Sequence, residues 1–409
     1  MSQAPALGNA KRTSLLTGCG SAALALGLAL GPAPAAAQGI QASGNVVFGS
    51  ATITPNGPNQ TRVAVGSQTT VINWTPQEDA AGNALDFLPA NSTAFYQNNS
   101  SASFVSDFAV LNRILPATNG NVAVINGSVI SRIVDFTGNP TPGGFIAFYS
   151  PTGILVGSGA SFDIGRLLLT TLDTTPQNFR DFYQQGATLQ LRAATGSTAR
   201  ITIQPNAQIS ALRENAFFAV VAANVEMLGV ARVNGSHAYV AGEAVNLTFS
   251  NGLFNIEIPT GTAAAREVVT LNGNIGGPSS TGVNGDNHLI YAVARASQDP
   301  ISMLFRGNLG FDPAQSAGVI NGEIILAANY DVFGRNVNGG SISNGVNGTF
   351  GADAETSLVR ADIAINDAAV TGNLLAISSH SVSAAATTHA EIGEVLGIVL
   401  GDEGAHFVA

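Results

Sequence analysis

The residues of this chain that could carry chemistry are few and widely spaced. Its histidines do not form a His-Glu-x-x-His zinc motif, and the sequence contains no Gly-x-Ser-x-Gly nucleophile turn. We therefore interpret each histidine as a turn or surface residue rather than as a ligand or a general base. The five histidines are His237, His288, His380, His389 and His406.

Carboxylates offer a second possibility, because glycosidases place two carboxyl groups on either side of the bond they cleave. Asp163 with Arg166, and Asp331 with Arg335, could lie on one exposed face. The sequence has no dense acidic cluster, which favours a solvated surface or a turn for both pairs. Asp286 could belong to a calcium turn, but the calcium loop and the calcium-binding nonapeptide repeat are both missing. We predict no enzymatic activity, no metal and no cofactor.

Basic residues are scarce as well. The chain has 26 acidic and 16 basic residues, a formal charge of −10, and Lys11 as its one lysine. This composition argues against a phosphate-binding loop lysine, a Schiff-base lysine and the phosphate neutralisation that drives nucleic-acid binding. Anionic lipid surfaces are unfavourable partners for the same reason.

The N-terminus has the pattern of a secretory signal. Lys11 and Arg12 precede an apolar run over 15–30, and small residues follow it. We predict a signal peptide over 1–37. An alternative is a lipoprotein box ending at Cys19, but most of the apolar run follows that cysteine. The residues that define the predicted cleavage site are Ala35, Ala37 and Gln38.

Removal of this segment would leave an exported chain with no cysteine and no lysine. Such a chain must gain its stability from the burial of apolar side chains and from backbone hydrogen bonds, because it cannot form a disulfide bond. The later apolar runs are short and interrupted, so we predict no stable membrane insertion.

The body of the chain alternates apolar and polar residues with a period of two, which predicts β-strands with one buried face. Asn-Gly recurs between these runs, and the steps among Asn234, Asn251 and Asn272 approach the length of one solenoid coil. We predict an all-β, right-handed parallel β-helix with coils of about 20 residues, an N-terminal cap over 38–97 and small β excursions. We also expect stacked Asn ladders at the turns.

Helical patterns are short. Pro176 introduces one window over 175–185, and a second covers 263–267. The aromatic residues Phe145, Phe148 and Tyr149 could stack on sugars if exposed, but such residues more often fill the interior of a solenoid. Residues after 351 still have the pattern of stacked strands.

A mid-chain stretch runs Ser-Pro-Thr-Gly-Ile, after Phe148-Tyr149 and before Leu155-Val156-Gly157. It resembles the secretion domain of two-partner-secretion exoproteins, the filamentous-haemagglutinin-like family, which has an Asn-Pro-Asn-Gly-Ile motif after an aromatic or aliphatic strand. Serine and threonine stand where the family has its two asparagines, while the proline and glycine keep the turn geometry. The matching residues, called the motif segment below, are Ser150, Pro151, Thr152, Gly153 and Ile154.

The resemblance implies a division into a secretion domain over 38–260 and further β-helix coils over 261–409, which could be truncated. It also implies export through the periplasm of a Gram-negative bacterium to the cell surface or the medium. The implied partner is an outer-membrane barrel transporter with periplasmic docking modules, and the exported protein would act as an adhesin on a host or surface glycan or protein. Two alternatives stay open, a β-helical polysaccharide-active enzyme and a self-associating surface fibre.

Overall fold

The computed structural model describes residues 39–79, 86–98, 107–115, 120–281, 286–297, 299–312, 322–335, 361–385, 388–389 and 395–399. The first strands are β1 Ala42–Phe48, β2 Ala51–Pro55, β3 Gln60–Val65, β4 Thr69–Pro76, β5 Thr93–Asn98, β6 Ala109–Ile114, β7 Ala123–Ile125, β8 Ser128–Val134, β9 Pro140–Pro142, β10 Phe145–Tyr149, β11 Ile154–Val156, β12 Ser161–Asp163 and β13 Arg166–Thr170.

Helix α1, Pro176–Gln185, follows β13. The later strands are β14 Leu189–Arg192, β15 Arg200–Ile203, β16 Gln208–Ala222, β17 Asn224–Met227, β18 Val230–Ala241, β19 Ala244–Ser250, β20 Leu253–Thr260, β21 Arg266–Leu271, β22 Asn274–Gly277, β23 Leu289–Ala294, β24 Ile301–Phe311, β25 Glu323–Ala328, β26 Val332–Phe333, β27 Ala361–Thr371, β28 Asn373–Ser378, β29 Ser381–Ala385, β30 Thr388–His389 and β31 Val395–Val399.

Three ladders of parallel strands run through these elements, and from β7 onward each coil contributes one strand to each ladder. Sheet 1 contains β7, β11, β15, β17, β21, the first halves of β24 and β27, and β29. Sheet 2 contains β3, β5, β8, β12, the first halves of β16 and β18, β22, the second halves of β24 and β27, and β30.

Sheet 3 contains β4, β6, β10, β13, the second halves of β16 and β18, β23, β25, β28 and β31. Phe145 pairs with Arg166, and Gln208 with Val230, so a coil without insertions takes about 20 residues. The predicted parallel β-helix is confirmed, and its handedness stays a prediction.

The stack begins with antiparallel strands. β1 pairs with β4 and β2 pairs with β3, both antiparallel, so they cover the first coil. Covering a terminal coil removes an edge that other strands could join. This cap is shorter than predicted, because β3, β4 and β5 already belong to the parallel ladders. Trp74, expected in the cap, lies instead in the buried core of the coils.

Most of sheet 3, from β4 to β28, is buried on both faces. Its inner side chains belong to the core of the coils, and its outer side chains form a second apolar cluster with α1 and the excursion strands. Strands buried on both sides are continuously apolar rather than alternating, and β10 (FIAFY) and β23 (LIYAVA) are fully buried along their length. The excursions leave the coil after strands of this sheet and fold back over it.

The excursions that cover sheet 3 comprise one helix and a four-stranded antiparallel sheet, while β9 forms a separate hairpin with β8. Helix α1 begins as predicted, with Thr175 accepting a hydrogen bond from the Asn178 N–H and proline in the first turn. The sheet has the order β14, β19, β20, β26. Asn251 and Gly252, at φ 51° and 77°, form the two-residue turn of the β19–β20 hairpin. The interpretation of Asn251 as a coil turn is therefore wrong.

The second helical window, 263–267, is also wrong. Residues 263–265 are irregular, and Arg266 begins strand β21. Parallel pairing with β24 overrides the weak helical pattern there. Among the described residues, no helix is long and apolar enough to span a membrane.

Candidate functional site

The motif segment forms the tight corner between β10 in sheet 3 and β11 in sheet 1. Ser150 to Gly153 make a β-turn, closed by a hydrogen bond of 3.4 Å from the Gly153 N–H to the Ser150 carbonyl. Serine, proline and glycine occupy the first, second and fourth positions, as a type I turn favours. Ile154 then enters β11 and is buried.

Hydrogen bonds tie this corner to the coils on both sides. The Thr152 hydroxyl donates to the Asn121 carbonyl at 2.6 Å, in the preceding coil. The Ser150 N–H donates to the Thr170 carbonyl at 3.1 Å, in the following coil. Ser150 is fully buried. The two neighbouring coils therefore hold the folded corner, in which Ser150, Gly153 and Ile154 are buried, Thr152 is half-buried and Pro151 is exposed.

Gly153 is required by this geometry. Its φ is 121°, a conformation that side chains other than glycine rarely adopt. A Cβ atom there would lie 2.8 Å from the Arg200 carbonyl of the next coil. The position thus combines a conformational and a steric demand for glycine.

Asp163 and Asp331 are each paired with an arginine from another segment of the chain. Asp163 forms an ion pair with Arg132 rather than with Arg166. Asp331 lies 2.9 Å from Arg295. Parallel stacking brings residues of different coils and excursions closer than residues three or four apart on one strand or loop.

Arginines of other segments hold further acids in the same way. The remaining partner of the second pair, Arg335, contacts Glu323. Asp107 pairs with Arg213 at 2.6 Å. Among the described residues, no group of three or more histidine, cysteine, aspartate or glutamate side chains could hold a metal ion.

Asp286 and His288 lie in a buried polar cluster rather than at the surface. The carboxylate of Asp286 accepts a 2.5 Å hydrogen bond from the Thr281 N–H, and the Thr281 hydroxyl also donates to it. His288 Nε2 lies 2.7 Å from Asp286, and its Nδ1 lies 2.7 Å from the Pro278 carbonyl. Although burial opposes it, hydrogen bonding from Thr281 and the nearby imidazole lowers the pKa of Asp286. The cluster holds Pro278, Thr281 and His288 together, and the hydrogen-bonding capacity of the Asp286 carboxylate is used within it.

His237 is likewise buried, contrary to the sequence-based interpretation. It lies inside the coils, where burial lowers its pKa to about 3. Its Nε2 is 3.0 Å from the Gly276 carbonyl, which can only accept, so this nitrogen carries the proton. Its Nδ1 then accepts from the Tyr239 hydroxyl at 3.3 Å. The ring is therefore a neutral, hydrogen-bonded part of the core.

Of the remaining histidines, the structure describes the side chain of His380 alone. His380 Nδ1 lies 2.6 Å from Asp362, and its side chain is partly exposed. The side chain of His389 and the whole of His406 lie outside the described residues, as do the predicted cleavage residues Ala35, Ala37 and Gln38. The signal peptide therefore stays a prediction.

The three candidate sugar-stacking aromatics are core residues. Phe148 points into the coils and contacts Phe162 edge to face. Phe145 points outward, where α1 covers it and Phe179 lies 5.3 Å away between ring centroids. Tyr149 is nearly buried, with Arg113 over its ring at 5.6 Å. The expected burial of these aromatics is confirmed, but only Phe148 lies in the interior of the solenoid, because Phe145 and Tyr149 belong to the apolar cluster on the outer face of sheet 3.

Four asparagine side chains form hydrogen bonds to the main chain, rather than the stacked Asn ladders that we expected. Asn98, Asn112, Asn224 and Asn287 donate from their side chains to main-chain carbonyls of other segments. An amide that bonds to a carbonyl does not need an identical neighbour above it. Their scatter along the sequence gave no signal for this role.

No protein-family model matches the sequence, and no curated protein matches it. The chain is similar to two solved secretion domains. One is the HMW1 secretion domain from Haemophilus influenzae, at 16% identity and a TM-score of 0.44, covering 88% of this chain and 94% of that chain. The other is the filamentous hemagglutinin secretion domain, at 14% identity and a TM-score of 0.33, covering 91% and 99%. The fold itself rests on the strand pairing described above.

Proposed function

We propose that this chain is an exported, adhesin-like exoprotein, and that its N-terminal β-helical part is recognised by an outer-membrane barrel transporter with periplasmic docking modules. The observation that carries the proposal is the motif segment, which resembles a secretion motif and forms the tight corner of a capped parallel β-helix. The predicted signal peptide and the absence of cysteine after Cys19 are consistent with passage through a pore in extended form.

The coil order suits export from the N-terminus. Each strand pairs with the strand of the next coil, so every new coil can fold onto those already outside. The capped first coil provides the surface on which this stacking starts. Local pairing of this kind keeps the contact order low and lets folding propagate as the chain emerges.

The burial of Ser150 in the folded corner limits when a transporter could recognise the motif segment. A transporter cannot contact Ser150 in the folded corner, because its side chain is fully buried. In our proposal the transporter therefore binds the segment while it is extended, by adding a strand to a sheet edge, and the corner forms afterwards.

The test is co-expression of the full chain with a candidate barrel partner, followed by immunoblotting of medium and periplasm. We expect the chain in the medium only when the partner is present. Deletion of 40–260 should stop secretion and leave the protein in the periplasm. Secretion that is independent of the partner, or unchanged by the deletion, would refute the proposal. Adhesion is then measured with the secreted protein on glycan-coated and protein-coated surfaces.

A further inference from the structure

A groove of about 370 Å³ crosses the outer face of sheet 1, on the side of the coil that the excursions do not cover. Four of its lining side chains are charged, two as guanidinium groups and two as carboxylates, and an amide and a hydroxyl accompany them. These residues are Arg200, Asn224, Glu226, Arg266, Glu267 and Thr270. They come from β15, β17 and β21, on three successive coils.

Strand β21 contains a β-bulge next to its two charged residues, Arg266 and Glu267. Val268 and Val269 are consecutive and both fully buried in the core, and the register with β24 shifts between Glu267 and Val269. Such a bulge turns the preceding side chains outward. Arg266 has a φ of 67°, an uncommon conformation for a side chain of this size. Both Arg266 and Glu267 are exposed as a result.

The ion pair in the groove, between Arg200 and Glu226, is long. Most arginine–carboxylate pairs of the described residues are in direct contact, whereas Arg200 and Glu226 stand 3.9 Å apart, with the Arg200 side chain 58% exposed. Glu226 also accepts a hydrogen bond of 3.2 Å from Thr202, which fixes one carboxylate oxygen in place. The groove therefore offers guanidinium donors and carboxylate acceptors that solvent or a ligand can reach.

The charge balance and the hydrogen-bonding groups of the lining indicate which class of ligand the groove can bind. Two positive and two negative charges give no net charge, and the chain as a whole carries −10, so a polyanion gains little here. Among the described residues that line the groove, none is an aromatic or large aliphatic anchor of the kind that dominates protein interfaces. Hydroxyl groups both donate and accept, so a polyhydroxylated neutral chain can use both kinds of charged group at once.

We infer that this groove binds a neutral oligosaccharide, without cleaving it. Glu226 and Glu267 accept hydrogen bonds from sugar hydroxyls, while Arg200 and Arg266 donate to them. The inference rests on the adhesin-like role proposed above and names its class of ligand, but it is tested independently of export because binding is measured on the purified chain.

The experiment is calorimetric titration of the full chain with neutral hexasaccharides of glucose, mannose and N-acetylglucosamine, and with hexagalacturonate as the acidic comparison. We expect binding of at least one neutral hexasaccharide. Glu267→Gln and Arg200→Gln should each weaken it at least ten-fold, and circular dichroism checks that both variants remain folded, as expected for exposed positions.

Glu257→Gln, an exposed carboxylate on the excursion sheet, is the matched control and should bind as the unmodified protein does. Failure of all the neutral hexasaccharides to bind, tighter binding of hexagalacturonate, or unchanged binding in both groove variants would each overturn the inference.

Discussion

The indole Nε1 of Trp74 donates a hydrogen bond of 2.9 Å to the side-chain oxygen of Asn112 inside the coils. The same oxygen accepts from the Tyr96 hydroxyl at 3.0 Å, and the Asn112 amide donates to the Ala147 carbonyl at 3.1 Å. One buried amide thus satisfies polar groups from three coils. Buried polar networks of this kind are stabilising only when every member is paired.

Replacing this amide should therefore be costly. Asn112→Leu leaves the indole N–H and the phenol without their acceptor, and we expect a loss of about 2–5 kcal/mol in the free energy of unfolding. Urea titration followed by fluorescence of Trp74, the single tryptophan, measures it. The control is Asn274→Leu at an exposed position of β22, expected to change stability by less than about 0.5 kcal/mol. Equal effects at the two positions would show that the network contributes nothing.

The motif corner can be tested with a pair of glycine variants. Gly153→Ala meets both an unfavourable φ and the Arg200 carbonyl, while Gly196 has a φ of 75° with no atom within 4 Å of an added Cβ. We expect Gly196→Ala to cost about 1 kcal/mol and Gly153→Ala at least twice as much. Thermal unfolding of the two purified variants gives the comparison. A Gly153→Ala variant no less stable than Gly196→Ala would contradict the steric role of the next coil.

Helix α1 should behave as a cover for sheet 3. Phe179 is fully buried against Phe145, whereas Phe136 is 99% exposed at the tip of the β8–β9 hairpin. Phe179→Ala should lower the free energy of unfolding by about 3–5 kcal/mol, and Phe136→Ala should leave it nearly unchanged. Binding of an apolar fluorescent dye should rise only in the first variant, because only there does the outer face of sheet 3 become accessible. Dye binding in neither variant would mean that α1 does not shield that face.

His237 gives a pH dependence with a defined sign. Its pKa is about 3 in the folded protein because of burial, and about 6.5 in an unfolded chain. The unfolded state therefore binds the proton first, so the contribution of His237 to stability is complete above pH 6.5 and is lost as the pH falls towards 3.

Urea unfolding between pH 3.5 and 7 measures this slope. His237→Leu should make the unfolding free energy fall less steeply with acidification than in the unmodified protein. His380→Leu, at a partly exposed histidine, should leave the contribution of His237 in place. An unchanged slope in His237→Leu would show that another group accounts for the acid sensitivity.

The sequence predicted those features that local patterns encode. Period-two runs predicted strands, and Thr175 with Pro176 predicted the start of α1, because strand alternation and helix capping depend on neighbouring residues. The helix expected over 263–267 failed, since the pairing of β21 with β24 decides that segment. Asn251 resembled a coil turn by its spacing, although the same dipeptide also suits the hairpin in which it lies.

The sequence by itself determined the β-helical class, the burial of Phe145, Phe148 and Tyr149, and the turn chemistry of the motif segment. The tertiary structure alone decided which side chains meet. Asp163 forms an ion pair with Arg132, Trp74 donates a hydrogen bond to Asn112, and residues of three coils line the groove on sheet 1. The physical reason is that parallel stacking brings together residues tens of positions apart, with offsets set by the length of each excursion, and no local pattern records those offsets.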